Sequence, residues 1–294
     1  PTTIHKEIRD AIRGQEVIMN NKNNISRQHR LTHDEKKAFI LDELNQKGSV
    51  RVSDLSERMG LSSVSIRNML ISLEKEYLLQ RTWGGAIKPI GTAKEMSYHT
   101  RETKNLEEKA AIAKVAYDCI EEGNTIYIDS GTTTFELVKL IRRIPKQNIL
   151  IATNAFDHAT ALIGTEGIRI IFAGGEIRHD SRATSGHFTT DTISKMIFDK
   201  VFIGIEHISY EHGLTTPNIQ DAELKQTILN SAKQCFVLAD YSKFWDDSLI
   251  HVKVPQKLCQ VITDWHITRE EIRKFDARGI HCIPAPDISG TEQT

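Results

Sequence analysis

Three short helical patterns follow one another in the first quarter of the chain. The first starts at Thr32, which has capping-box spacing with Glu35, and its apolar stripe stops before a glycine. The second is predicted to start with Ser53 as its cap and to end at the Gly60 turn. The third starts at Ser62, and its apolar face consists of Ile66, Leu70 and Leu73. A short helix, a glycine turn and a second one-sided helix predict a helix-turn-helix.

The opposite face of the third helix is polar, and a hairpin is predicted to follow it. Residues 78–89 contain two short strand patterns around a Trp83-Gly84-Gly85 turn. We expect this wing to hold two basic side chains over a phosphate backbone, and Trp83 to pack against the third helix. A small helical bundle without DNA binding is the alternative. The candidate DNA-binding residues are Ser53, Ser62, Ser63, Ser65, Arg67, Asn68, Arg81 and Lys88.

From residue 105 the pattern changes to alternating strands and helices. Asn105 with Glu108 is predicted to open a helix that ends at Gly123. Strand patterns follow at 125–128, 148–152, 168–172, 200–205, 235–239, 258–263 and 280–283. Helical patterns lie between most of them, at 134–143, 189–197, 220–233 and 268–277. This order predicts an α/β fold, an open and mostly parallel sheet with helices on both faces.

Small, hydroxyl-bearing or charged residues follow most of the strand patterns. In an open parallel sheet the ligand site lies beyond the carboxyl ends of the strands. The run 130–134 places Gly131 and four hydroxyls at the start of a helix, where unpaired N–H groups favour an anion. This predicts an anion cradle, to which Lys243 adds a point charge. The candidate ligand-binding residues are Asp129, Ser130, Gly131, Thr132, Thr133, Thr134, Thr153, Asn154, Gly174, Gly175, Glu176, Ser185, Gly186, Asp240 and Lys243.

The predicted cradle also has a simpler interpretation. Serine and threonine at the start of a helix often cap it without binding any ligand. No Walker spacing accompanies the glycine, so hydrolysis of a nucleoside triphosphate is not expected. The 12 histidines show no recognised metal-ligand spacing, and neither a metal nor a cofactor is expected.

Charge and composition divide the chain into two parts with different expected partners. The net charge is −1, but residues 1–90 carry +4 and residues 91–294 carry −5, so the basic end is the candidate for phosphate contact. The four cysteines are too widely spaced for a disulfide framework or a zinc site. No apolar run approaches the roughly 18 to 20 residues of a membrane span, and the start lacks a secretion signal. A cytoplasmic location without membrane contact is expected.

The run VRVSDLSERMGLSSVSIRNMLISLEKEYLLQRTWGGA resembles the winged helix-turn-helix of the DeoR family of bacterial transcriptional regulators. The motifs of the larger part that resemble the family's sensor domain are Asp-Ser-Gly-Thr-Thr at 129–133, Thr153-Asn154, Gly174-Gly175, Ser185-Gly186, Phe-Ile-Gly at 202–204 and Asp-Tyr-Ser-Lys-Phe at 240–244. Three positions depart from the family pattern. Ser65 stands where threonine is commoner, Met69 stands where an aspartate is expected, and Glu206 stands where glycine is common.

The resemblance implies a repressor of a carbohydrate-utilisation operon. Its partners would be double-stranded operator DNA and a phosphorylated sugar that changes operator affinity. Its sensor fold would be related to ribose-5-phosphate isomerase and glucosamine-6-phosphate deaminase. We expect a mobile arm at 1–31, the winged helix-turn-helix at 32–89, a linker at 90–104, and a sensor and oligomerisation domain at 105–294. A homo-oligomer, dimer or tetramer, would present paired heads to two half-sites.

Two other functions fit the same residues. The first is a sugar-phosphate isomerase or deaminase fused to a regulatory winged helix, with Asp129, Asp240 and Glu176 as acid and base groups. The second is a sensor that binds only a partner protein.

Overall fold

The computed structural model describes residues 32–75, 78–87, 98–254 and 259–288. The chain forms two compact units, Pro1–Gly91 and Thr92–Thr294. The arm predicted at 1–31, Lys88 and part of the predicted linker lie outside the described residues. No helix in the described ranges combines the length and the apolarity needed to span a bilayer.

The first unit combines three helices with a small antiparallel sheet, as far as it is described. Its elements are α1 (His33–Lys47), β1 (Ser49–Arg51), α2 (Val52–Met59), α3 (Ser63–Lys75), β2 (Gln80–Thr82) and β3 (Gly85–Ile87). The strands pair in the order β1-β3-β2. The predicted capping box of Thr32 and Glu35 is present at the start of α1. This arrangement is a winged helix-turn-helix.

The core of the first unit is formed by the apolar faces that the spacing predicts. Ile66, Leu70 and Leu73 of α3 are buried against α1 and α2. Met69 is also buried in this cluster, so the replacement of an expected aspartate adds an apolar side chain to the core. One detail of the prediction is wrong: α2 begins at Val52, and Ser53 is its second residue rather than its cap.

The second unit is an α/β fold around seven parallel strands. Its elements before the middle of the sheet are α4 (Tyr98–Glu102), α5 (Leu106–Asp118), β4 (Thr125–Ile128), α6 (Thr132–Arg143), β5 (Ile149–Thr153), α7 (Phe156–Leu162), β6 (Ile168–Phe172), β7 (Glu176–Arg178), β8 (Ala183–Ser185) and α8 (His187–Ser194). The remaining elements are β9 (Phe198–Gly204), β10 (His207–Ser209), β11 (Gly213–Thr216), α9 (Ile219–Asn230), β12 (Ala232–Leu238), β13 (Ile250–Val252), β14 (Cys259–Thr263), α10 (Arg269–Asp276) and β15 (His281–Pro284). The large sheet has the order β15-β14-β12-β9-β4-β5-β6, and every pairing in it is parallel.

Two apolar layers cover the two faces of this sheet. Along β4, Ile126 and Ile128 face the layer that contains α5, α6 and α7. Tyr127 faces the opposite layer, which contains α8, α9 and α10. Because β4 and β5 are buried on both faces, their sequences are mostly apolar, as is usual for central parallel strands, whereas the edge strands β6 and β15 are partly exposed and carry Arg169 and His281. All seven strands end at the same edge, and this edge carries the candidate ligand-binding residues.

Several short elements were not predicted from the sequence. Helix α7 and the three-residue strands β7, β8, β10 and β13 carry too few residues to show a period. The predicted linker contains the helix α4. Asn105 lies at the start of α5 as expected, but it has a left-handed backbone, and its side chain makes no capping hydrogen bond.

The close approach of β3 to β1 gives a test of the wing's geometry. A Cβ atom at Gly85 would lie 1.9 Å from the carbonyl oxygen of Val50, whereas one at Gly84 would meet no atom within 4 Å. Gly85→Ala should therefore lower the free energy of unfolding by about 1 to 3 kcal/mol, the usual cost of overpacking. Gly84→Ala is the matched control. Equal urea unfolding curves for the two variants, measured by circular dichroism, would contradict the close contact.

Candidate functional site

The exposed face of α3 carries the polar residues that the sequence predicts for DNA contact. Ser63, Ser65, Arg67 and Asn68 are exposed, while the opposite face is buried in the core. The Oγ of Ser62 accepts a hydrogen bond from the Ser65 backbone N–H at 3.2 Å. This bond caps the start of α3.

The wing is attached to α3 by an ion pair. The Nε of Arg81 lies 2.6 Å from Oε2 of Glu74, and the Arg81 backbone N–H donates to Oε1 of the same carboxylate at 2.8 Å. Arg81 therefore has a fixed position beside α3 and remains partly exposed. Trp83 is fully exposed at the turn, so the prediction that it packs against α3 is wrong. Ser53 is exposed on α2, and its hydroxyl donates to Asp54.

In the second unit, the predicted cradle lies where β4 ends and α6 begins. Gly131 precedes the helix, and Thr132 and Thr133 occupy its first turn, where backbone N–H groups lack helical partners. Thr134 is fully buried, and its hydroxyl donates to the carbonyl oxygens of Asp129 and Gly131. The expectation that Thr134 offers its hydroxyl to a ligand is thus corrected, because that group shapes the loop instead. Ser130 remains half-buried at the rim.

Beneath the cradle lies a buried histidine that the sequence reasoning did not select. The Nε2 of His158 is 3.3 Å from the carbonyl oxygen of Gly131, and its ring stacks on Phe135 with centroids 5.5 Å apart. Burial lowers the pKa of His158 to about 4, so the ring is neutral at physiological pH. The histidine supports the loop from below without adding a charge.

A buried ion pair lies behind the cradle. The Nζ of Lys225, on α9, is 2.5 Å from Oδ2 of Asp129 and 3.4 Å from Oδ1 of Asp221. Burial alone would lower the pKa of Lys225, but the two carboxylates raise it above its ordinary value, so the ammonium is charged. Burial raises the pKa of Asp129 to about 6, against the attraction of Lys225. Asp129 therefore anchors Lys225 at the rim and has its carboxylate turned toward α9.

The neighbouring strand ends are held together by buried side chains. The Oδ1 of Asn154 accepts from the Tyr127 hydroxyl at 3.0 Å, and its Nδ2 donates to the Thr184 carbonyl at 2.9 Å. Thr153 is fully buried, and its Oγ1 accepts from the Ala155 backbone N–H. Asn154 therefore connects β5 to the β7–β8 hairpin, while Thr153 stabilises the turn that follows β5.

The predicted residues at the edge of the sheet surround the β7–β8 hairpin. A Cβ at Gly175 would lie 2.1 Å from Oγ1 of Thr189, so this glycine is required for packing. Gly174 and Glu176 are exposed. Ser185 donates to Gln220 at 3.3 Å, and Gly186 has a positive φ of 82° at the start of α8. These residues line the same rim, two strands away from the cradle.

On the other side of the cradle, Asp240 lies near the side chains of Lys109 and Lys243. Its Oδ1 accepts from Asn105 Nδ2 at 2.9 Å and from the Ser242 backbone N–H at 3.1 Å. Burial lowers the pKa of Lys243, and Asp240 opposes this shift. Burial likewise lowers the pKa of Lys109 to about 8. Lys109 also donates to the Arg101 carbonyl oxygen. Lys109, Lys243 and Arg101 thus supply cationic groups on this side of the rim, beside the carboxylate of Asp240.

Five residues of this rim were missed or undervalued by sequence reasoning: Lys225, Asp221, His158, Lys109 and Arg101. One signal was available for Lys225. It falls on the apolar face of the 220–233 helical pattern, next to Leu224 and Ile228, and four residues after Asp221. A lysine on an apolar face with an acidic residue at i−4 indicates a buried pair. In the described ranges no group of three or more His, Cys, Asp or Glu side chains is arranged to hold a metal ion.

Comparison with known protein families identifies both units. Residues 37–89 match the DeoR-like helix-turn-helix domain, and residues 104–265 match the DeoR C terminal sensor domain. The chain belongs to the DeoR family. It is a DNA-binding transcriptional regulator by this membership, and the resemblance drawn from the motifs is confirmed.

Relatives of the DeoR family match almost their full length. A protein described as an aga operon transcriptional repressor, from Escherichia coli O157:H7, is 33% identical over 85% of this chain and 93% of its own length. The glycerol-3-phosphate regulon repressor of Escherichia coli K12 is 29% identical over 79% of this chain and 96% of its own length. Among solved structures, ribose 5-phosphate isomerase A of Methanocaldococcus jannaschii aligns with a TM-score of 0.34 and 15% identity, covering 46% of this chain and 53% of that one. A TM-score this low does not support a statement about function.

The buried pair behind the cradle gives a stability test. Lys225→Met leaves Asp129 buried without its counter-charge, and this should cost about 3 to 5 kcal/mol. Lys233→Met removes the partner of Asp199 from a pair whose lysine is 67% exposed, and it should cost no more than about 1 kcal/mol. Chemical unfolding of the full chain measures both. Similar losses in the two variants would contradict the role of the buried pair.

The same Lys225→Met variant should show a characteristic pH dependence. Without the ammonium, the pKa of buried Asp129 rises further above its unfolded value, so the folded form binds a proton that the unfolded form does not. The variant should therefore recover part of its stability as the pH falls from about 7 to about 5. Unfolding curves across this range provide the measurement. A loss of stability on acidification relative to wild type would contradict it.

Proposed function

We propose that the chain is a repressor of a carbohydrate-utilisation operon and that a phosphorylated sugar, bound at the cradle, changes its affinity for operator DNA. The observation that supports the proposal is the presence, in one chain, of an exposed polar α3 surface and of a sheet edge that carries a helix N-terminus and a group of lysine and arginine side chains. The names of the two bacterial relatives, repressors of an aga operon and a glycerol-3-phosphate regulon, support a small metabolite of this chemistry.

The DNA-binding half of the proposal rests on α3 and the wing. Arg67 and Asn68 lie on the exposed face of α3, where long donor side chains reach base edges when a helix enters the major groove. Arg81, held by Glu74, supplies a contact to the phosphate backbone from the adjacent hairpin. Ser62, Ser63 and Ser65 are short hydroxyls suited to phosphate contacts at the start of the same helix.

The sensor half rests on the group of charges around α6. Backbone N–H groups at Thr132 and Thr133 with the hydroxyl of Ser130 would form the cradle, and Lys243, which follows β12 at the same edge of the sheet, would add a positive charge. A phosphate ester is the expected ligand, because it combines high negative charge with several acceptor oxygens. A ligand of this kind can act only if it binds the DNA-competent and DNA-incompetent states with different affinity, typically by about 1 to 3 kcal/mol.

The alternative of an isomerase or deaminase has less support from the geometry. Of its three proposed acid and base groups, Asp129 is held by Lys225, and Asp240 accepts three hydrogen bonds from Asn105 and Ser242. Glu176 lies exposed on β7. A general base requires a carboxylate that is free to receive a proton from the substrate. The relatives named above are regulators, which favours regulation over catalysis.

The proposal extends to assembly and to the roles of the segments. A symmetric homo-oligomer, dimer or tetramer, would carry paired winged helices to two operator half-sites about 34 to 36 Å apart or a multiple of that spacing. Pairing is needed because one small winged domain makes few base contacts. The segment 32–89 would bind DNA, and residues 105–294 would bind effector and form the oligomer. A protein with this function works beside the chromosome, in the cytoplasm.

The proposed contact of α3 with DNA is tested at Arg67. Arg67→Ala should weaken binding to a cognate operator by about 1 to 3 kcal/mol if the guanidinium contacts a base, and should also reduce the salt dependence if it contacts a phosphate. Fluorescence anisotropy at several salt concentrations measures both effects. Arg142→Ala, at an exposed position of the second unit, is the control. An operator affinity equal to that of wild type at every salt concentration would show that α3 does not contact the DNA.

The proposed effector site is tested at Lys243 and Thr132. In wild type, the ratio of operator affinities with and without the active sugar phosphate should differ from one by about 5-fold to 150-fold. Lys243→Met and Thr132→Val should bring this ratio close to one, because the phosphate loses a charge partner in the first variant and the Thr132 hydroxyl donor in the second. Lys195→Met, at an exposed lysine of α8's carboxyl end, is the control. A full response in the Lys243 variant would contradict the site.

A further inference from the structure

An ion pair between α4 and the end of β9 lies above the sheet rim. One Nη of Arg101 is 3.2 Å from Oε1 of Glu206, and each side chain is only 14% exposed. Arg101 belongs to α4, and Glu206 follows β9 by two residues. Two long, charged side chains are thus withdrawn from solvent at the carboxyl ends of the strands, where a parallel sheet binds its ligand.

This pair has unused hydrogen-bonding capacity. Within the described part of the chain, Arg101 Nε and Glu206 Oε2 are buried and have no hydrogen-bond partner at bonding distance. The Thr216 hydroxyl is near enough to help lower the pKa of Glu206, but it donates to Oδ2 of Asp221 at 2.7 Å. Buried polar atoms are almost always paired, and leaving one unpaired costs about 1 to 3 kcal/mol. An unpaired donor and an unpaired acceptor on the same ion pair therefore indicate a ligand that supplies both an acceptor and a donor.

The pair lies close to the cradle. A Cβ at Gly204 would lie 3.6 Å from the carbonyl oxygen of Ser130, so the end of β9 contacts the start of the cradle. Glu206 is two residues farther along. Burial would raise the pKa of Glu206, but Lys225, Arg101 and Lys243 lower it, which shows that these cations surround it and that it is ionised. The carboxylate is thus an acceptor at a site where the cradle holds the anion.

The chemistry of the pair differs from that of the cradle. A carboxylate repels a phosphate but accepts hydrogen bonds from hydroxyl groups, and a guanidinium N–H donates to hydroxyl oxygens. Neighbouring hydroxyls of a sugar present a donor and an acceptor together. The cradle, which consists of N–H groups, hydroxyls and a lysine, suits the phosphate instead.

We propose that Arg101 and Glu206 bind hydroxyl groups of the sugar and determine which sugar phosphate the protein accepts, while the cradle binds the phosphate. This inference rests on the proposed function. It also gives α4, which carries Arg101, a role in ligand binding.

The experiment separates the two halves of the ligand. Thermal shift and calorimetry would compare wild type with Arg101→Lys and Glu206→Gln, using inorganic phosphate, ribose 5-phosphate, glucose 6-phosphate and galactosamine 6-phosphate as probes. Both variants should bind the preferred sugar phosphate about tenfold more weakly or worse, and should bind inorganic phosphate within about twofold of wild type. The differences in affinity among the three sugar phosphates should become smaller. Arg142→Lys and Glu122→Gln, at exposed positions, are the matched controls.

The remaining outcomes identify which claim fails. If the variants keep the wild-type preference among the sugar phosphates, the pair is structural and the inference is wrong. The same holds if their affinity for inorganic phosphate falls as much as their affinity for sugar phosphate. If wild type binds the sugar phosphates and inorganic phosphate equally well, the sugar is not recognised and the inference is also wrong. If wild type binds none of the four probes, the proposed effector site fails, and the inference fails with it.

Discussion

The buried contact between Lys225 and Asp129 determines the shape of the rim. A charged lysine inside a protein is tolerated only with a carboxylate beside it, and here the carboxylate comes from the last position before the cradle loop. The contact joins α9 to the end of β4, the fifth strand of the seven. Because Asp129 is fixed in this way, the loop that follows it leaves Ser130 partly exposed and begins α6 at the buried residues Thr132 and Thr133.

The loop is also supported by neutral contacts. The Thr134 hydroxyl donates back to two carbonyl oxygens, and the neutral His158 approaches one of them from the other side. These groups use up the acceptors that would otherwise compete with a ligand for the backbone N–H groups. The cradle is thus organised before any anion arrives, which reduces the entropy lost on binding.

Much of this architecture follows from local pattern, and the reasons for the exceptions are physical. Strands such as 125–128 are recognisable because burial on both faces requires continuous apolar residues. The cradle is recognisable because glycine and hydroxyls stand together between a strand and a helix. The partner of Asp129 is not local: Lys225 lies 96 residues away, and only the sheet order brings the two together. The same holds for Arg101 and Glu206, 105 residues apart. Asn154 and Thr134 show the converse error, since their hydrogen bonds to distant or backbone atoms use the groups that sequence alone assigns to a ligand.

The single direction of all seven strands separates two kinds of residue in this protein. Side chains within the strands fill the two apolar layers, whereas those just beyond the strand ends are of two kinds. Asp129 and Asn154 are buried and hold the loops in place, while Gly174 and Glu176 are exposed. Exchanges at the exposed positions can therefore alter the surface of this edge with little risk to folding, but exchanges at the buried positions cannot.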